Sequence, residues 1–262
     1  MKTVILFWNA LLNEILKTKN AYLFVISLAV AFFIPAIYFV HYIIDYERVI
    51  PKPGVNPWGK FFFSQFSMTP LLYSLFVIVV TSYLVQMEHK SSALKMIFAM
   101  PMPKWALYFS KQVVILCVVF VTYLIFFGLI LCSGYLLSAI NAEYAFHLYK
   151  PDFKLMSKVF LSSFATVFGV IALQYWISFK IKNFLIPLGI GLIMVIIGII
   201  IFRSSRFAPF FLYGYNISNL TAINPANPNT FEWLSSFSVY SLWYFLVIGI
   251  VGYFNVSKSA VK

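Results

Sequence analysis

The run Phe184–Phe202, FLIPLGIGLIMVIIGIIIF, holds nineteen residues without one charged group, and five other stretches are built the same way. They are Ala21–Ile44, a run within Phe61–Met87, Gln112–Ser138, Val159–Phe179 and Ser236–Phe254, and none contains Asp, Glu, Lys or Arg. A bilayer core needs about 20 apolar residues per spanning helix. Lipid satisfies no backbone polar group, so such runs fold as helices. Composition agrees: 10% of residues are charged, against about 25% in soluble domains. Thirty Phe and seventeen Tyr exceed what one soluble core of 262 residues can hide. The expected fold is all-α: a polytopic membrane protein with six transmembrane helices in one domain over residues 1–262. Pro35, Pro70 and Pro187 are expected to kink their spans.

The net charge of +12 comes from basic residues scattered singly along the loops. No Lys/Arg run or stripe offers a nucleic-acid footprint, so the charge reads as orientation and contact with anionic headgroups. An even span count puts both termini on one side. Eleven Lys and two Glu then share that side, against eight Lys/Arg and five Asp/Glu on the other, a net +9 against +3. Both termini are therefore expected in the cytosol. Cys117 and Cys132 fall in one apolar run and suit neither a disulfide framework nor a zinc site.

Thr3–Asn20 carries helical periodicity, with Val4, Phe7, Trp8, Leu11, Leu12 and Ile15 on one face. Phe7, Trp8, Leu11, Leu12 and Ile15 are the residues expected to bed an amphipathic helix, residues 1–20, flat in the membrane interface. A helix packed on the bundle surface would use the same face. No cleavable signal peptide is expected, because Asn9 and Asn13 interrupt the apolar stretch.

Residues 203–235 form the longest outer segment. FAPFFLYGYNISNL is too aromatic for a solvated loop and reads as a short helix dipping back towards the bilayer; NPANPN reads as turns. Asn216 and Asn219 match glycosylation triplets, which arise often by chance.

Intramembrane transport or enzyme chemistry finds few candidates. Ion-coupled transporters place ionisable groups at the bilayer midplane, and here only His41, at a span's outer end, is titratable. His41, His89 and His147 lack metal-ligand spacing. No phosphate-binding glycine loop followed by Lys-Ser/Thr occurs. The chain is expected to be no enzyme, and to need no cofactor of its own. A secondary transporter or channel, or a non-transporting scaffold, is the alternative reading.

Between the second and third runs lies MEHKSSALKMIFAMPMPKWALYFSK, Met87–Lys111, unusually basic and firmly punctuated for a short connection. Glu88 suits the approach to a new helix N-terminus, and Ser91 or Ser92 caps it. Leu94, Ile97 and Phe98 share one face, while Met96 and Met100 lie on another. Pro101 disfavours helix at Met100, and Pro103 suits the first turn of the next helix. Lys104 holds the segment at the surface. An amphipathic connector resting on headgroups would look much the same.

This order of residues resembles the second-to-third-span connection of ABC-2 type permeases: Glu88, Ser91–Ser92, the short apolar helix Leu94–Met100, Pro101, Lys104, then Ser110–Lys111. NEILKTKN before a proline-bearing span is similar to the lantibiotic- or bacitracin-immunity-like branch. Ser92 stands where that family often has Gly-Thr, and Lys104 where Arg is common. The resemblance implies a plasma (bacterial inner) membrane permease that exports or extracts a hydrophobic or amphipathic substrate. Residues 88–104 would be its cytosolic coupling segment. It also implies two copies of an ABC ATPase that holds ATP and Mg, and a second permease subunit, identical or sibling. Glu88, Ser92, Leu94, Met96, Ile97, Phe98, Met100, Pro101 and Lys104 would then couple this chain to the ATPase.

Overall fold

Uncharged runs in a solvent without hydrogen-bonding partners leave the backbone one local solution, and the chain takes it throughout. The computed structural model describes residues 2–19, 22–52, 54–90, 103–204, 206–222 and 233–259, and all regular structure among them is helical. In chain order the helices are α1 (Lys2–Lys19), α2 (Leu23–Ile44), α3 (Pro57–Phe66), α4 (Thr69–Lys90) and α5 (Lys104–Ile140). They continue with α6 (Phe153–Thr166), α7 (Phe168–Lys180), α8 (Leu185–Ile201), α9 (Tyr215–Ala222) and α10 (Ser236–Ser259).

Among the described residues, five units are long and apolar enough to cross a membrane: α2, α4, α5, α6 with α7, and α10. The shorter apolar α8 has 17 residues, near the lower limit for spanning. The protein is thus a polytopic all-α membrane protein. Several boundaries differ from those expected. Phe61–Phe66 belongs to the separate helix α3, whose N-cap Asn56 accepts from the Trp58 amide at 3.0 Å. Pro70 and Pro187 stand in the first turns of α4 and α8, where a missing N–H disrupts nothing. Of the three prolines, only Pro35 lies in a helix interior. The third unit reaches back to Lys104, making a 37-residue helix.

The fourth unit breaks at Val167. There the Ser241 hydroxyl of α10 donates to the Thr166 carbonyl at 2.8 Å and accepts from the Gly169 amide at 2.9 Å. A side chain inserted into the backbone ladder is a recognised cause of a helix break.

α7 packs between α10 and α4, and both α1 and α2 pack on α5. The most apolar stretches of α4 and α6–α7 are mostly buried, whereas those of α2 and α10 are mostly exposed. Phe32 and Phe33 on α2, Ile196 and Ile200 on α8, and Trp243 and Ile250 on α10 face outward, as lipid contact requires. Residues 211–220 tuck in rather than spreading outside. A Cβ added at Gly198 would lie 2.8 Å from the Gly214 amide nitrogen, so this crossing needs glycine.

The bundle has two ends. α1, the start of α5 and the C-terminus of α10 mark the proximal end. At the distal end, loops close over an aromatic cluster. Trp58 donates through Nε1 to the carbonyls of Phe146 and Tyr149 at 3.1 and 3.0 Å, and its ring lies against Gly134 of α5. The Phe146 amide donates to Ser138 Oγ at 2.8 Å, fastening this cover to α5.

Candidate functional site

The expected coupling residues Ser92, Leu94, Met96, Ile97, Phe98, Met100 and Pro101 lie outside the described residues. Its flanks are described. Glu88 falls in the last turn of α4, and Lys104 is the first residue of α5. Pro103 is the N-cap rather than a first-turn residue. Its backbone is extended, and its carbonyl accepts from the Ala106 amide at 2.9 Å.

Immediately after that segment, α5 is joined to α1. The Phe7 and Trp105 rings stack at 5.8 Å with an interplanar angle of 5°. Two turns along, Glu14 meets Lys111 at 2.9 Å and Lys17 at 2.5 Å. Glu14 and Lys111 are 5% and 4% exposed, so the pair is removed from solvent. Burial pushes the Glu14 carboxyl pKa up, but the charge of Lys111 and the hydrogen bonds from Lys17 and Lys111 outweigh it. The carboxyl is held below its ordinary value, and Glu14 is ionised at neutral pH.

This arrangement revises the face expected of α1. Phe7 and Leu11 are half-buried against α5 with Ala10 and Glu14, whereas Trp8, Leu12 and Ile15 point outward. The apolar surface is wider than one contact: one edge packs on the bundle and the other stays free. Sequence reasoning left Glu14 out of the apolar face and read Lys111 with Ser110 at the entry to the third span, so it missed the pair. A signal was available. Glu14 follows Phe7 by seven residues and Ala10 by four, which puts it on their stripe.

A second polar assembly runs through the interior along α6 and α7. Ser162 Oγ contacts Asn219 Oδ1 and Ser238 Oγ, each at 2.8 Å, and Asn219 donates to Ser163 at 3.0 Å. Thr166 donates to Asn216 at 3.0 Å. Further along, Gln174 Nε2 donates to Ser82 at 3.0 Å and to the Pro187 carbonyl at 2.9 Å, while Tyr213 donates to Gln174 Oε1 at 2.8 Å. Ser82 in turn pairs with Ser178 at 3.2 Å. From Ser162 to Ser178 this seam covers about 24 Å of helix. Every member is uncharged. Asn216 and Asn219 are 4% and 0% exposed, so their glycosylation triplets are coincidental.

His41 Nδ1 lies 2.9 Å from Asp45 at the distal end of α2, an i,i+4 pair that spacing alone would reveal. Among the described residues, no three His, Cys, Asp or Glu side chains group closely enough to hold a metal. Among the described residues, this geometry holds helices in register through buried hydroxyls and amides.

A family model described as "ABC-2 family transporter protein" matches residues 10–198. That stretch runs from the buried face of α1 to the Gly198 crossing. Searches of curated proteins and of solved structures return no match.

Proposed function

Because the chain belongs to the ABC-2 transporter family, we propose that it is the membrane-spanning subunit of an ATP-driven exporter or extractor of a hydrophobic or amphipathic molecule. One observation carries this reading: the family match runs from residue 10, in α1, to residue 198, in α8, a range that takes in residues 88–104. Two copies of a separate ABC ATPase would supply the energy and hold ATP and Mg; this chain would hold no cofactor and catalyse nothing. A second permease subunit, identical or sibling, would complete the pathway in a bacterial inner membrane with both termini cytosolic. The proximal end of the bundle is then the cytosolic end, and α1 lies in the interface there.

On this reading Leu94, Ile97 and Phe98 enter a groove on the ATPase. Met96 and Met100 add an adaptable apolar contact. Glu88, Ser92, Pro101 and Lys104 set the ends of the coupling helix. The join of α1 to α5 at Glu14–Lys111 supports this role, because it stiffens the helix that follows the coupling segment. The uncharged span surfaces suit a hydrophobic or amphipathic cargo.

The test is co-purification of the permease with a candidate ABC ATPase. Leu94→Ala with Phe98→Ala should leave membrane abundance unchanged and weaken ATPase capture at least tenfold. Loss of a buried Leu or Phe costs about 2–5 kcal/mol, and about 1.4 kcal/mol is already tenfold in affinity. Undiminished capture by the double variant would reduce residues 88–104 to a linker.

A further inference from the structure

At the distal end, a cavity of about 280 Å³ opens between the loop after α2 and the start of α3. Three cations, Arg48, Lys52 and Lys60, line it together with Asn56, Tyr42 and Phe146, and no acidic side chain does so among the described residues. Of the nearby acids, Asp45 meets His41 and Glu143 meets the Tyr46 hydroxyl, and Glu47, next to Arg48, lines neither this cavity nor its neighbour. Like charges gathered around one space repel each other, and that repulsion is relieved when an anion occupies it. Arg brings a fork that matches phosphate oxygens, and Lys brings mobile point charges.

A second cavity of about 680 Å³ adjoins the first and shares Asn56 and Lys60 with it. Its wall is apolar, from Trp58, Phe62, Phe63, Leu155 and Met156. The one acid there, Asp152, caps α6 by accepting from the Leu155 amide at 3.0 Å. The walls are well fixed. Asn56 caps α3 and also donates to the Lys150 carbonyl at 3.3 Å, and Trp58 is held by two carbonyls and is 1% exposed.

We propose that these adjoining cavities form one binding site for a phosphate-bearing amphiphile, with the phosphate among Arg48, Lys52 and Lys60 and the apolar chain against Phe62, Phe63 and Leu155. A free anion would use only the first cavity and a neutral lipid only the second; Lys60, standing in both walls, joins them for one ligand. The site requires nothing of ATP coupling and is tested on the permease alone.

The purified chain in an uncharged detergent is titrated with dihexanoyl phosphatidic acid, dihexanoyl phosphatidylcholine and inorganic phosphate, and bound ligand is read by native mass spectrometry. Phosphatidic acid should bind tightest. The combined variant Arg48→Gln, Lys52→Gln, Lys60→Gln should weaken it at least tenfold, while Lys52→Arg with Lys60→Arg keeps it. Leu155→Asn should weaken phosphatidic acid and leave inorganic phosphate unchanged. Binding of phosphatidic acid that survives the glutamine variant overturns the site. Phosphatidylcholine binding as tightly as phosphatidic acid overturns the role of charge. Inorganic phosphate binding as tightly overturns the amphiphile in favour of a simple anion pocket.

Discussion

The molecule buries polarity in two ways, and the two regions differ in charge. At the proximal end, α1 meets α5 through an ionised pair, Glu14 and Lys111, with Lys17 beside it. Along α6 and α7, the interior seam from Ser162 to Ser178 is neutral throughout. Desolvating a charge costs far more than desolvating a hydroxyl or an amide. Full charges therefore occur where a surface helix can bring a counter-ion to the bundle's end, and neutral groups fill the depth. The first arrangement concentrates its contribution in one buried carboxylate. The second is a set of small contributions that degrade one at a time.

The largest effect should come from breaking the ionic region. Glu14→Gln removes the carboxylate that Lys111 meets at 2.9 Å, and breaking a buried ion pair costs about 3–5 kcal/mol. Unfolding in mixed detergent micelles should show a drop of that order. Glu14→Leu combined with Lys111→Leu should recover most of it, because an apolar pair restores packing without desolvation. An unchanged midpoint for Glu14→Gln would mean that the pair is solvated, and the contrast would vanish.

Acid tests the same contrast without mutation. The folded Glu14 carboxyl is held below 4.5, so its contribution is fully present above that value and is lost as pH falls through the folded pKa. Hydrogen-exchange protection of residues 2–19, taken relative to the intrinsic rate at each pH, should fall as pH drops through the lowered Glu14 pKa, while protection in α6 and α7 should not. An equal fall in both regions would remove the distinction.

Within the neutral seam the effects should be smaller and graded. Gln174→Leu removes three hydrogen bonds and leaves the Tyr213 hydroxyl unpaired, a loss of about 1–3 kcal/mol. Ser241→Ala should cost about 0.6 kcal/mol, the average for hydrogen bonds between membrane helices. A larger loss at Ser241 than at Gln174 would identify the helix break, rather than the amide hub, as the organising feature. Both are read as unfolding midpoints in the same micelles.

The spans and the amphipathic α1 were legible in sequence because apolar length and 3.6-residue periodicity report solvent directly. Periodicity does not report partners. It marked Phe7 and Leu11 correctly as apolar but could not divide that face between α5 at Phe7 and the outside at Trp8. Glu14 and Lys111 lie 97 positions apart, and nothing local pairs them. The break at Val167 is caused by Ser241 from another helix, so the α6–α7 sequence carries no sign of it. Pro70 and Pro187 were misread because span edges were drawn from hydropathy, which does not say where a helix's first turn begins. Of the expected coupling positions, the described residues give only the flanks, Glu88 and Lys104.

α5 runs unbroken through 37 residues, about 55 Å of helix, which is well beyond a bilayer core of about 30 Å. It is therefore a lever arm as well as a span. A rigid rod of that length converts a tilt of about 5° at one end into a sweep of about 5 Å at the other. Lys104 sits at one tip; near the other, Gly134 bears the Trp58 ring and Ser138 holds the Phe146 amide. A tilt at the Lys104 end would thus displace the aromatic cover at the distal end directly, with no relay of intermediate contacts.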